Sequence, residues 1–195
     1  MRHRLPSLSA VAVSVAILLA TMTDVRGETR PIDVQHSTLT VLVYKSGLFS
    51  ALADNHVISA PIASGSISEE APLRIDLLIR SADLRVLDPG LAPERRADIQ
   101  TRMLGSEVLD VTKFPEITFA STAIEPAGTD RWKVAGRATI HGQTRPIAFQ
   151  VVRVNGKYRG EVVITQRDFD IKPIKVAGGA VKVKDELTLQ FEIAR

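Results

Sequence analysis

Polar and apolar residues alternate through most of this chain. A period of two residues commits a segment to an extended strand with one face buried. In WKVAGRATI, Trp132, Val134, Gly136, Ala138 and Ile140 share one face, and Lys133, Ala135, Arg137 and Thr139 share the other. HSTLTVLVYK sets Leu39, Val41 and Val43 against Thr38, Thr40 and Leu42, and EITFAST puts Ile117 and Phe119 together. LRIDLLIRS, PIAFQVVRV, KYRGEVVIT and VKVKDELTLQFEI read the same way. Turn chemistry joins these strands as hairpins. Asn155-Gly156 separates two alternating runs, and both residues accept the positive φ that a two-residue turn demands. HGQT links two further strands, and Gly178-Gly179 in KVAGGAVKV reads as another hairpin turn.

One stretch breaks the period. In APERRADIQTRMLGSEVLD, Leu91, Ile99, Met103 and Leu104 recur at roughly helical spacing. The spacing predicts one short helix over Pro93–Leu104, with Gly105 closing it in a left-handed conformation. No Pro-, Gly- or Ser-rich linker and no internal repeat divides the chain. The expectation is an all-β, antiparallel domain of about eight strands over residues 28–195, either a sandwich or a closed barrel. A closed barrel of that size can hold one small ligand.

Residues 1–27 have the layout of a secretory signal peptide, with Arg2, His3 and Arg4 before the apolar run LSAVAVSVAILLATM. That run is shorter than the ~20 residues a spanning helix needs, so cleavage near Gly27 and a periplasmic or secreted location are expected. Arg2, Arg4 and Arg26 belong to this leader, so the remainder is nearer neutrality than the +3 of the whole chain. With no basic stripe and few aromatics, nucleic acid is not an expected partner. The absence of cysteine excludes thiol catalysis and thiolate metal sites.

Beyond the leader the histidines are His36, His56 and His141, with no local ligand spacing among them. His141 beside Gly142 reads as turn geometry, and His36 as the opening of a strand. His56 is the freest, in the polar triplet Asp54-Asn55-His56 within an otherwise apolar segment. A polar corner at the mouth of a barrel is the favoured reading of that triplet, ahead of a metal site built on His56 and Asp54. No metal or cofactor is expected. No Gly-x-Ser-x-Gly elbow is present, and the neighbouring acids Glu69-Glu70 and Asp185-Glu186 would point to opposite faces of a strand, so catalysis is not expected.

Four segments, in order, carry a family resemblance: IDVQHSTLTVLV near the start, LDVTKFPEITFAST at 109–122, ATIHGQTRPIAF at 138–149, and RDFDI at 167–171. They resemble the conserved segments of the YceI-like family, over nearly all of residues 31–194. The resemblance implies an exported, extended lipocalin-like barrel enclosing an isoprenoid quinone, a polyprenyl lipid or another long-chain amphiphile. The membrane would serve only as the source of lipid, and pairing into a homodimer is typical of relatives. Combined with the alternation, it places Leu39, Val41, Val43, Phe49, Ile117, Phe119, Ala138, Ile140, Phe149 and Phe169 on an apolar pore, with Asp54, Asn55 and His56 at its mouth. The small residues Gly136, Ala138, Ala148 and Gly160 would leave room inside. The chain departs from the family where Asp170 replaces the glycine of an Asp-Phe-Gly-Ile segment, and in LADNHVISAPIASGSI. The rival readings are a stress-response or interaction module with a dry core, and a metal-binding protein using His56.

Overall fold

The structure is a computed structural model that describes residues 28–46, 55–176 and 181–195. Among these it contains twelve strands: β1 (Thr29–Pro31), β2 (Asp33–Ser46), β3 (His56–Ser59), β4 (Ile62–Ser68), β5 (Arg74–Arg80), β6 (Arg85–Val86), β7 (Glu116–Gly128), β8 (Arg131–Ile140), β9 (Gln143–Val154), β10 (Lys157–Thr165), β11 (Lys175–Val176) and β12 (Val181–Ala194). One helix, α1 (Pro93–Leu104), and two 3-10 turns at Ser81–Asp83 and Gln166–Phe169 complete it.

The twelve strands make eight walls. Only Ile32 separates β1 from β2, and its N–H donates to Gly65 O at 3.1 Å. Only Ala60 and Pro61 separate β3 from β4, and the Ala60 N–H donates to Leu39 O at 2.9 Å. These are therefore two long strands paired with each other along their length. The two-residue ladders of β6 on β3 and β11 on β12 are additions to the wall. The remaining pairs run antiparallel in chain order, β4 with β5, β5 with β7, then β8, β9, β10 and β12. β12 then pairs with β2, Leu189 opposite Val41 and Phe191 opposite Leu39. The ladder returns to its start as a closed, extended barrel, which leaves no long unpaired edge among the described residues.

Two of the expected turns follow the expected chemistry, and the third, at Gly178-Gly179, lies outside the described residues. Asn155 and Gly156 have φ of 52° and 78°, and His141 and Gly142 have 50° and 72°. α1 has the expected bounds. Its Gln100 side chain accepts from Val86 N–H and donates to Leu84 O, both at 2.8 Å, which fixes the helix to the β6 wall. Gly105 corrects the sequence reading. It is extended, with φ −74° and ψ 178°, and its N–H caps the helix on Thr101 O at 3.0 Å. The left-handed residue comes later, at Asp110 with φ 43°. The Phe114 N–H donates to Asp110 O at 2.8 Å, turning the chain into β7.

The small residues also act differently from expectation. A Cβ on Gly136 would lie 2.4 Å from Phe119 Cζ, and one on Gly160 would lie 2.4 Å from Phe191 Cζ. Each glycine is covered by an aromatic ring from the neighbouring strand, so neither contributes open space. Ala148 is exposed on the outside of β9, and Ala138 alone of the four faces a cavity. Gly136→Ala and Gly160→Ala are each expected to destabilise the fold by about 1–3 kcal/mol, because the ring above and a neighbouring carbonyl oxygen, Ala120 O or Gln150 O, must give way. A lowered urea midpoint with an unchanged slope would show this. Unaltered midpoints in both variants would show that neither the rings nor these carbonyls crowd the glycines.

Candidate functional site

Two adjoining cavities occupy the barrel, with volumes of about 880 Å³ and 510 Å³. Both touch Leu39, Ile79, Ile117, Ile140 and Leu189, contributed by β2, β5, β7, β8 and β12. This apolar ring is where the wide and narrow compartments meet. Alternation along each strand directs these side chains inward.

The expected pore residues divide between the compartments. Leu39, Val41, Val43, Ile117, Ile140 and Phe169 line the wide one. Leu39, Ile117, Phe119, Ala138, Ile140 and Phe149 line the narrow one. Phe49 and Asp54 lie outside the described residues. Sequence reasoning missed Ile79, Leu187 and Leu189 on opposing walls, although their alternation was visible. It also missed Leu84, Met103 and Leu109, buried residues from the segment between β5 and β7 that close one side of the wide compartment.

The 3-10 turn Gln166–Phe169 supplies the buried Phe169 and Gln166. Gln166 Nε2 donates to Lys184 O at 2.7 Å, tying the turn to β12. Asp170 then adopts φ 59°, a left-handed position that glycine accepts freely and Asp tolerates better than most residues. His141 packs on Phe114 with ring centroids 4.2 Å apart, and its Nδ1 lies 3.2 Å from Phe169 O.

The polar corner is built from partners distant in sequence. Asn55 Oδ1 accepts from Lys45 N–H at 3.1 Å, bridging β2 to the start of β3. His56 Nδ1 lies 2.6 Å from Asp88 Oδ2, while Asp88 Oδ1 accepts from Val57 N–H at 2.8 Å. The Asp88 side chain is 7% exposed and the His56 side chain 20%, and His56 lines the wide compartment. Asp88 was not singled out in the sequence. The rim of this compartment carries mixed charge, with Lys45, Arg95 and Lys182 alongside Asp98, and Arg102 paired with Glu107 at 3.1 Å.

The histidines do not converge. His36 pairs with Asp33 at 2.6 Å, His56 with Asp88, and His141 sits in its turn. Among the described residues no three His, Cys, Asp or Glu side chains come together to hold a metal ion.

A polar plug lies at the other end, against the narrow compartment. The Tyr158 hydroxyl donates to Glu69, which also pairs with Arg195. Arg153 pairs with Asp130 at 2.7 Å and lies over the Trp132 ring, which meets Tyr158 edge-on at 5.6 Å. Inside the plug the rings of Phe119, Phe149 and Phe191 follow one another at 5.5 and 5.4 Å. Burial, and then the bond to Glu69, push the Tyr158 hydroxyl above its usual value. The folded state thus retains this proton longer than the unfolded chain. The stability so gained is complete below about pH 10 and declines as pH rises toward the folded value. Tyr158→Phe is expected to flatten the alkaline decline in a pH series of thermal melts. An alkaline limb equally steep in the variant would remove Tyr158 as its source.

Comparison with known proteins agrees with this geometry. The model of the YceI-like domain matches residues 31–194. A UPF0312 protein of Shewanella oneidensis is 33% identical over 86 residues, 39% of this chain and 45% of the relative. A UPF0312 protein of Pseudomonas putida is 37% identical over 54 residues, 28% of each chain. These matches thus cover less than half the length of either relative. Among solved structures, Burkholderia cenocepacia BcnA superposes with a TM-score of 0.67 at 19% identity, covering 84% of this chain and 99% of BcnA. A mutant CJ YCEI protein with a monobromobimane guest gives a TM-score of 0.50 at 18% identity, covering 70% and 80% of the two chains. At such identities the likeness is one of fold.

Proposed function

This chain belongs to the YceI-like domain family, and on that premise we propose that it is an exported protein that carries or sequesters a long-chain isoprenoid or acyl lipid inside its barrel. The observation that carries the reading is the pair of apolar cavities joined at the Leu39, Ile79, Ile117, Ile140 and Leu189 ring. A module with a dry, filled core would not leave such space, because protein interiors otherwise pack to crystal-like density. The shape suits a molecule with a long tail. The tail would pass the ring into the narrow compartment, and the head would rest in the wide one, beside the charged rim and His56.

The affinity would come from apolar burial. A tail burying about 400 Å² contributes about 10 kcal/mol at about 25 cal/mol per Å², before the cost of association. The reading needs no catalytic group and no metal. It asks of the walls only that they be apolar, and of the mouth that it orient a head.

The test is mass spectrometry of an organic extract from the protein, purified from periplasm without detergent beside an unrelated periplasmic protein. One isoprenoid or acyl species at near-equal molar amount, missing from the control, is the expected result. A folded protein that yields no such species would overturn the reading and favour a partner-binding role.

A further inference from the structure

His56 is held at one nitrogen and open at the other. Asp88 is buried, and each of its carboxylate oxygens already has a donor, the Val57 N–H at 2.8 Å and His56 Nδ1 at 2.6 Å. A carboxylate accepts hydrogen bonds and has none to give, so the proton of this contact belongs to Nδ1. A neutral ring in this tautomer carries a lone pair on Nε2. Among the described residues that nitrogen has no hydrogen-bond partner, and it is not sealed from the space around it. The ring stands in the wall of the wide compartment, next to Val43 and Ile58.

We propose that His56 Nε2, oriented by Asp88, is the acceptor that anchors the cargo's head, and that it selects an amphiphile bearing a hydroxyl donor, a prenyl alcohol or phenol, over one whose head only accepts. This deepens the carrier reading above and rests on it. The selectivity has a plain cause. A head without a donor leaves Nε2 facing an oxygen lone pair in a mostly apolar chamber, where unmatched polar groups are costly. Asp88 does not touch the head and acts as a positioning residue.

The test uses two probes with the same tail, a tetraprenyl alcohol and its methyl ether, titrated into delipidated full-length mature protein. The wild type should bind the alcohol about three- to tenfold more tightly, the range one neutral hydrogen bond supplies. His56→Phe should lower alcohol affinity to that of the ether. Asp88→Asn separates orientation from mere presence. The oxygen of the introduced amide can keep the Val57 N–H while its NH₂ donates to Nδ1, which moves the ring proton to Nε2. The ether then gains a donor, so the gap should close by tighter ether binding, with the alcohol little changed. Nitrogen NMR of the imidazole should report the Nδ1-protonated tautomer in the wild type and the Nε2-protonated one in the variant.

Equal affinities for the two probes in the wild type would overturn the inference while leaving the carrier reading intact. A gap that survives in Asp88→Asn, with the tautomer switched, would also overturn it. If neither probe binds correctly folded protein, the carrier reading itself fails for prenyl chains and the inference fails with it.

Discussion

The hydrogen-bonded ladder between β12 and β2 is the contact on which the rest of the structure depends. It joins the last wall to the first, with Leu189 opposite Val41 and Thr188 opposite Leu42. Without it the sheet would expose two long edges and an open apolar face. Ladder pairing alone would not produce a vessel, because a closed sheet can equally be filled by its own side chains. The interior here stays open because medium-sized aliphatic residues meet at the central ring, while the largest rings gather toward the narrow end.

The two ends are built from different materials. At the wide end the wall is extended by non-strand chain: the 3-10 turns, α1 and the segment through Leu109 and Asp110. These are held by specific caps such as Gln100 on β6 and Gln166 on β12. At the narrow end a polar cluster around Glu69 and Arg153 sits over packed aromatics. Polar groups thus stand at both ends with apolar surface between them, and the larger chamber lies at the end that carries the His56–Asp88 pair.

Much of the barrel was legible because its determinants are local. Alternation fixed which faces of β2, β7 and β8 point inward, and Asn155-Gly156 announced its turn. α1 appeared as a change of period. What was not legible depends on pairs distant in the chain. His56 was visible within a polar triplet, but its partner Asp88 lies 32 residues away, and no local pattern links the two. Gly105 carried the composition of a left-handed cap, yet the reversal fell to Asp110. The strand glycines suggested space, because sequence does not show which ring lies across them.

The strand glycines also set the size of the narrow chamber. Phe119 and Gly136 occupy neighbouring strands, and the ring of one fills the volume that a side chain on the other would need; Phe191 and Gly160 stand in the same relation. Each pair is a single packing unit. A side chain at position 136 or 160 would require a smaller aromatic neighbour and a shift of the adjoining carbonyl, Ala120 O or Gln150 O, each 2.6 Å from the added Cβ. The smaller ring would thin the aromatic packing of the narrow chamber and lengthen its open space, so chamber length is set by residues on the strands rather than by those at the mouth.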